Sequence, residues 1–163
     1  KKRFTISMIV ILAVVHTALS QDKQVRKDIY DALSSNDITQ IDAQLNVLKQ
    51  HSEVKGKAAY EGTLLMRKAG LISGAGKKLK MFKDGREKLE AAIVTDKDNG
   101  EYRFLRLMIQ ENAPGILHYN NNIDEDLQEI HKQYNNIPAE AQNAITAYSK
   151  LSKILQQHPV AGS

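Results

Sequence analysis

Beyond its first twenty positions, this chain returns its apolar residues every three or four places and shows no run with the two-residue alternation of a strand. That spacing confines the backbone. Side chains three and four apart share one face of an α-helix, whereas a half-buried strand places every second residue inward. The clearest stripe is Ile38, Ile41, Leu45 and Leu48, and before it Val25, Ile29 and Leu33 step by four. The chain is therefore expected to be all-α. Helices of this length joined by short loops pack against their sequence neighbours, giving an antiparallel helical bundle or a short stack of helical hairpins with six to seven helices.

Breaks in the pattern set the expected boundaries. The first helix is predicted over 22–33 and stops at Ser34-Ser35-Asn36, where Asn36 can cap the second helix with Asp37 in its first turn. A third helix carries Val54, Ala58, Leu65 and Ala69 inward and ends at Gly70. A glycine-containing linker at 71–76 (LISGAG) leads to a fourth, with Leu79, Phe82, Leu89 and Ile93 on one face. After the turn-rich stretch 95–100 (TDKDNG), a fifth runs over 102–109 and is stopped by Pro114-Gly115. Asp124, Glu125 and Asp126 suit the positive end of a sixth, which carries Leu127, Ile130 and Tyr134, and Asn122 and Glu125 have capping-box spacing. Pro138 fits the first turn of a seventh, with Ala141, Ile145, Tyr148 and Leu151 inward.

The first twenty residues read as an address. Lys1-Lys2-Arg3 precedes an apolar run at 4–15 (FTISMIVILAVV), and the small residues Ala18 and Ser20 precede Gln21. That order is expected of a secretory signal cut after Ser20. The run is shorter than the roughly 20 apolar residues a helix needs to cross a bilayer, so no stable membrane span is expected after cleavage. The expected organisation is a signal peptide at 1–20, a helical domain at 21–157 and a frayed tail at 158–163, in a protein that works in the periplasm or outside the cell. The leader also explains the charge. The chain carries +4, but three of its 23 bases and none of its 19 acids lie in the first twenty residues. The remainder has 20 bases against 19 acids, a net of +1, which does not suggest nucleic acid as a partner.

Several chemistries are excluded or disfavoured. There is no cysteine, which removes disulfides, thiolate metal sites and cysteine nucleophiles. Gly74-Ala75-Gly76-Lys77-Lys78 lacks the first glycine of a phosphate loop, where Leu71 stands, and the hydroxyl residue after the lysine. A calcium loop counted from Asp96 would need glycine at Glu101 and an acid at Leu107. His51, His118, His131 and His158 are never three or four apart, so no helical zinc pair forms. No Gly-x-Ser-x-Gly elbow is present. No catalytic residue, metal or cofactor is expected.

What remains is a set of candidate contacts. Arg103 and Arg106 are three apart and share a helix face, where with Tyr102 they could hold an acidic group of a partner in fork geometry, or pair internally with acids of neighbouring helices. Lys77, Lys78 and Lys80 open the densest basic stretch, 77–88 (KKLKMFKDGREK). They offer a contact for an anionic partner, or a solvated face whose stems cover Leu79, Phe82 and Leu89.

Gly85, Leu89 and Ala92, followed by the polar turn 96–100 and a new helix at Glu101, resemble the second helix and exit of a tetratricopeptide repeat. The departures are Lys97 in place of the usual proline, Ser73 and Gly76 in the preceding helix, Arg106 at a small position, and no second copy near a 34-residue period. The resemblance implies a hairpin stack that binds a peptide or protein in a groove, and it transfers no binding residues.

The best reading is an exported, non-enzymatic helical protein that binds another protein or a cell-envelope component. The alternative is an exported small-ligand binder or enzyme with a site of scattered residues such as Glu101, Arg103, Arg106, His118 and His131. An exposed apolar groove without convergent polar groups would favour the first, and a deep pocket lined by those residues the second.

Overall fold

The all-α expectation holds. The computed structural model describes residues 21–160, which fold into eight helices and two 3-10 turns with no strand among them. The expected leader at 1–20 and the last three tail residues lie outside the described residues. Helix α1 covers 21–34 within them, followed by α2 (Ile38–Gln50), α3 (Lys57–Leu71), α4 (Ala75–Thr95) and α5 (Gly100–Asn112). A 3-10 turn at Gly115–Leu117 leads to α6 (Ile123–Gln133), and a second at Tyr134–Asn136 leads to α7 (Ala139–Ser149) and α8 (Lys153–Gln157). Among the described residues no helix is long and apolar enough to cross a membrane.

The most extensive helix contact is the hairpin of α3 and α4, and two glycines permit it. A Cβ at Gly62 would lie 2.6 Å from the Gly85 carbonyl oxygen and 2.8 Å from the Leu89 nitrogen. A Cβ at Gly85 would lie 2.6 Å from the Gly62 carbonyl oxygen. The two backbones touch, so neither position has room for a side chain.

Helix α5 is the axis of the fold. Every residue from Gly100 to Leu107 is buried, as are Ile109 and Gln110. Helices α3, α4 and α6 pack against it. Tyr30 of α1 and Tyr148 of α7 add ring contacts to Phe104 at centroid distances of 6.0 and 5.9 Å. Fully buried aliphatic and aromatic side chains such as Phe104, Leu105 and Leu107 contribute about 1.5–3 kcal/mol each, so much of the stability is concentrated along this helix.

Several expectations need correction. Asp37, not Asn36, caps α2: its carboxylate accepts from the Thr39 N–H at 2.8 Å, and Asn36 Oδ1 instead accepts from Arg67 at 2.8 Å. α3 starts at Lys57, so Val54 precedes it, and its inward residues include Ala59, Tyr60, Leu64 and Met66, while Ala58 is exposed. Because α2, α4 and α5 all contact α3, its buried arc is too wide to be read as one row. α4 begins within the expected linker, leaving only 72–74 outside helix. Asn122 Nδ2 donates to Glu125 at 3.0 Å, side chain to side chain, and makes no capping bond to the backbone. Leu151 is 81% exposed, because the chain turns there into α8, a helix the periodicity does not signal. At the chain end, Val160 packs into the core.

Candidate functional site

The helix spacing of Arg103 and Arg106 does place them on one face, but that face looks inward. Their exposures are 6% and 3%. Arg106 forks onto Asp126 of α6, with Nε and Nη2 at 2.8 and 2.6 Å from the two carboxylate oxygens, and its Nη1 donates to Glu90 of α4 at 2.8 Å. Arg103 donates to Glu125 at 2.8 Å, to Asp126 at 3.3 Å and to the Lys97 carbonyl. Tyr119 closes the network by donating to Glu90 at 2.6 Å, while its ring meets the edge of Phe82 and the guanidinium of Arg86 at 4.9 Å. Burial pushes the Tyr119 hydroxyl well above its ordinary range, and its bond to Glu90 adds to that. For Asp126, burial raises the carboxyl above its usual value against the downward pull of Arg106 and Arg103. The partner fork that the spacing suggests is therefore engaged inside the protein.

A second cluster lies at the start of α5. Glu101 is 4% exposed, and its Oε1 accepts from Tyr60 at 2.7 Å, Tyr30 at 3.0 Å and Arg26 at 3.1 Å. Burial first, then the neighbouring Glu101 charge, raises both tyrosine hydroxyls well above their usual value. Burial opposes the charge on Arg26, yet Tyr60 and Glu101 more than offset it, so its pKa is raised. Tyr102 borders this cluster in a small polar cleft with Lys55 and Asn99. A third cluster joins α5 to the chain end: Glu111 accepts from Tyr148 and Ser152, both at 2.7 Å. Gln110 alone among buried side chains of the described residues leaves both amide atoms without a partner.

The remaining candidates sit on α4, whose first turn carries no acid. Lys77, Lys78 and Lys80 are exposed. Lys80 pairs with Asp84 one turn on. Of the three, Lys78 borders a cavity lined mainly by apolar residues. It is a cleft of about 500 Å³ between the end of α3, the start of α4, the end of α5 and the 3-10 turn after it. Met66, Phe82, Ile109 and Leu117 line it, with Leu79 and Ile116 at its lips. Leu79 is 43% exposed and Ile116 84%. The turn projects Ile116 outward because α5 ends at Asn112 and Pro114 then caps the 3-10 turn. The hairpin reversal at Gly74, with φ at +93°, brings α4 back beside α3 to form the opposite wall.

Four of the six sequence candidates thus fall in three places, and two in none of them. Arg103 and Arg106 belong to the core network, Tyr102 to the polar cleft, and Lys78 to the apolar one, while Lys77 and Lys80 line neither. Leu79, read as inward, instead forms a lip. Ile116 is legible only as part of an apolar pair with Leu117, caught between Pro114-Gly115 and a polar loop. Among the described residues no group of three or more His, Cys, Asp or Glu is placed to hold a metal ion. Compared with family models, curated proteins and solved structures, the chain finds no match.

Proposed function

We propose that this protein is a non-enzymatic binding module, working outside the cytoplasm, that receives an apolar segment of another protein in the cleft between α3, α4 and α5. The observation that carries this reading is the exposure of Leu79 and Ile116 at the lips of a cleft lined mainly by apolar residues, with Arg67, Lys78 and Asn112 its only polar ones. Large exposed apolar side chains grouped around a concavity mark a contact surface rather than a chance exposure. The side chains that could do acid–base work, Glu101 with Tyr30 and Tyr60, are held in internal hydrogen bonds away from the cleft. A volume of about 500 Å³ also lies in the range of small-molecule pockets. A ligand that only filled the floor would leave Ile116 in water, whereas a protein segment extends past the lips and covers it. The likeness of Gly85, Leu89 and Ala92 to a tetratricopeptide hairpin supports a groove-binding role, and the signal-like leader supports the exported location.

A photo-crosslinking amino acid placed at position 116 tests the reading in an envelope extract from the source cells, with position 156 on the exposed face of α8 as control. One protein joined at 116 and not at 156, and displaced by excess unlabelled protein, is the expected result. Equal labelling from both positions, or none from 116, overturns it.

A further inference from the structure

We infer that the segment received by the cleft is acidic as well as apolar: an amphipathic stretch of a partner protein whose leucine-like row fills the cleft while Asp or Glu residues flank it. This rests on the binding reading above and specifies its occupant. The charges around the cleft carry it. Its only charged lining residues, Arg67 and Lys78, are both cations, and no acid lines it. Arg67 is anchored without being neutralised, because its guanidinium donates to the carbonyls of Leu33 and Ser35 and to Asn36 Oδ1 at 3.0, 3.1 and 2.8 Å, all uncharged acceptors. Lys78 has no ion pair among the described residues.

The same holds one and two turns further along α4. Lys83 follows Leu79 by four residues and Arg86 by seven, so both continue the face that holds the lip. Lys83 has no ion pair among the described residues, and Arg86 lies over the Tyr119 ring rather than on a carboxylate. The acids of α4 sit elsewhere: Asp84 is paired with Lys80, and Glu90 with Arg106 and Tyr119. Glu87, four residues after Lys83, is exposed and does not line the cleft. The rim is therefore positive on a chain that is nearly neutral after its first twenty residues. Such a rim attracts acids, repels bases and selects among apolar segments that would otherwise all fit the floor.

A lipid with an anionic head shares part of this chemistry, but two features favour a peptide. The cleft is open at Ile116, and a peptide extending past its lips buries more of that residue than a chain confined to the floor. The cations are also spread along two turns of α4 rather than gathered around one head group.

The test is fluorescence anisotropy with the full chain and three labelled helical peptides. They share leucines at positions i, i+3, i+4 and i+7, and carry glutamate, glutamine or lysine elsewhere. The glutamate peptide should bind about tenfold more tightly than the glutamine peptide, as expected for a few solvent-exposed ion pairs acting together. The lysine peptide should bind more weakly still. The preference should shrink as salt is raised, and the Lys78→Glu/Lys83→Glu variant, folded by circular dichroism, should reverse it. Equal binding of the glutamate and glutamine peptides, or a preference unchanged in the reversed variant, overturns the acidic occupant while leaving the cleft as a binding surface. Saturable binding of oleate or anionic vesicles at the cleft, with none of the glutamate peptide, overturns it in favour of a lipid. Failure of all three peptides also overturns it, and the labelling at position 116 then tells whether the binding reading falls with it.

Discussion

The core around α5 and the cleft beside α4 reverse the usual allocation of side chains. Around α5, Glu101, Arg103, Arg106 and Asp126 are buried. Beside α4, Leu79 and Ile116 face water. The difference between them is satisfaction. Each buried charge has partners at hydrogen-bond distance, so it closes an internal account and asks nothing of another molecule. The exposed apolar groups have no such closure, because only removal from water lowers their free energy. Chemically conspicuous residues therefore build the fold here, and inconspicuous ones form the surface we propose for binding.

The comparison breaks most visibly at Asp126. Its removal in Asp126→Ala leaves two guanidiniums without their shared acceptor, and a broken buried pair costs about 3–5 kcal/mol. Urea unfolding should show that loss. A loss below 1 kcal/mol would mean that water reaches the network and that the arginines are less committed to the core than their burial implies.

Next comes the hairpin that forms one wall of the cleft. In Gly85→Ala the new methyl meets the Gly62 carbonyl and the helices must part, for a loss of about 1–3 kcal/mol. Because α3 and α4 frame the cleft, this variant should also bind its partner less well. Unchanged stability would show that the close approach can relax freely.

A smaller effect is expected at the Glu101 cluster. Tyr60→Phe removes the hydrogen bond donated to Glu101 and the one accepted from Arg26, a loss of about 1–2 kcal/mol at neutral pH. The sign of the pH dependence follows from the raised tyrosine pKa values. The folded protein keeps Tyr30 and Tyr60 protonated where the unfolded chain, with tyrosines near 10, begins to release them. Their contribution is complete below pH 10 and is lost as pH rises above it. Thermal melts from pH 8 to 11 should show falling stability, less steep in Tyr60→Phe. Parallel curves for the two proteins would contradict the assignment.

Much of the fold was legible because periodicity reports burial directly. Ile41 and Leu48 in α2, and Phe82, Leu89 and Ile93 in α4, are buried as their spacing requires. Periodicity fails where burial is not one-sided. The inward face of α3 is only partly legible, Ala69 but not Ala58 being buried, because several helices cover it, and nothing in the pattern of α5 says that it is enclosed all round, since its arginines look like solvent residues until Asp126 is brought to them by α6. The cleft was legible only in fragments. Lys78 was a candidate by charge, but the meeting of Leu79 with Ile116 depends on the reversal at Gly74 and on where α5 stops. These are tertiary outcomes that local spacing does not encode.

The most direct test of the central claim uses Ile116→Asp. Its unfolding free energy in urea should match the parent protein within about 0.5 kcal/mol, as expected for a change at an exposed site. Crosslinking to the partner from a photo-reactive residue at position 79 should fall at least tenfold in the same variant. An unfolded or strongly destabilised variant would show that Ile116 serves the fold. A stable variant that still captures the partner in full would show that the cleft is not where binding occurs.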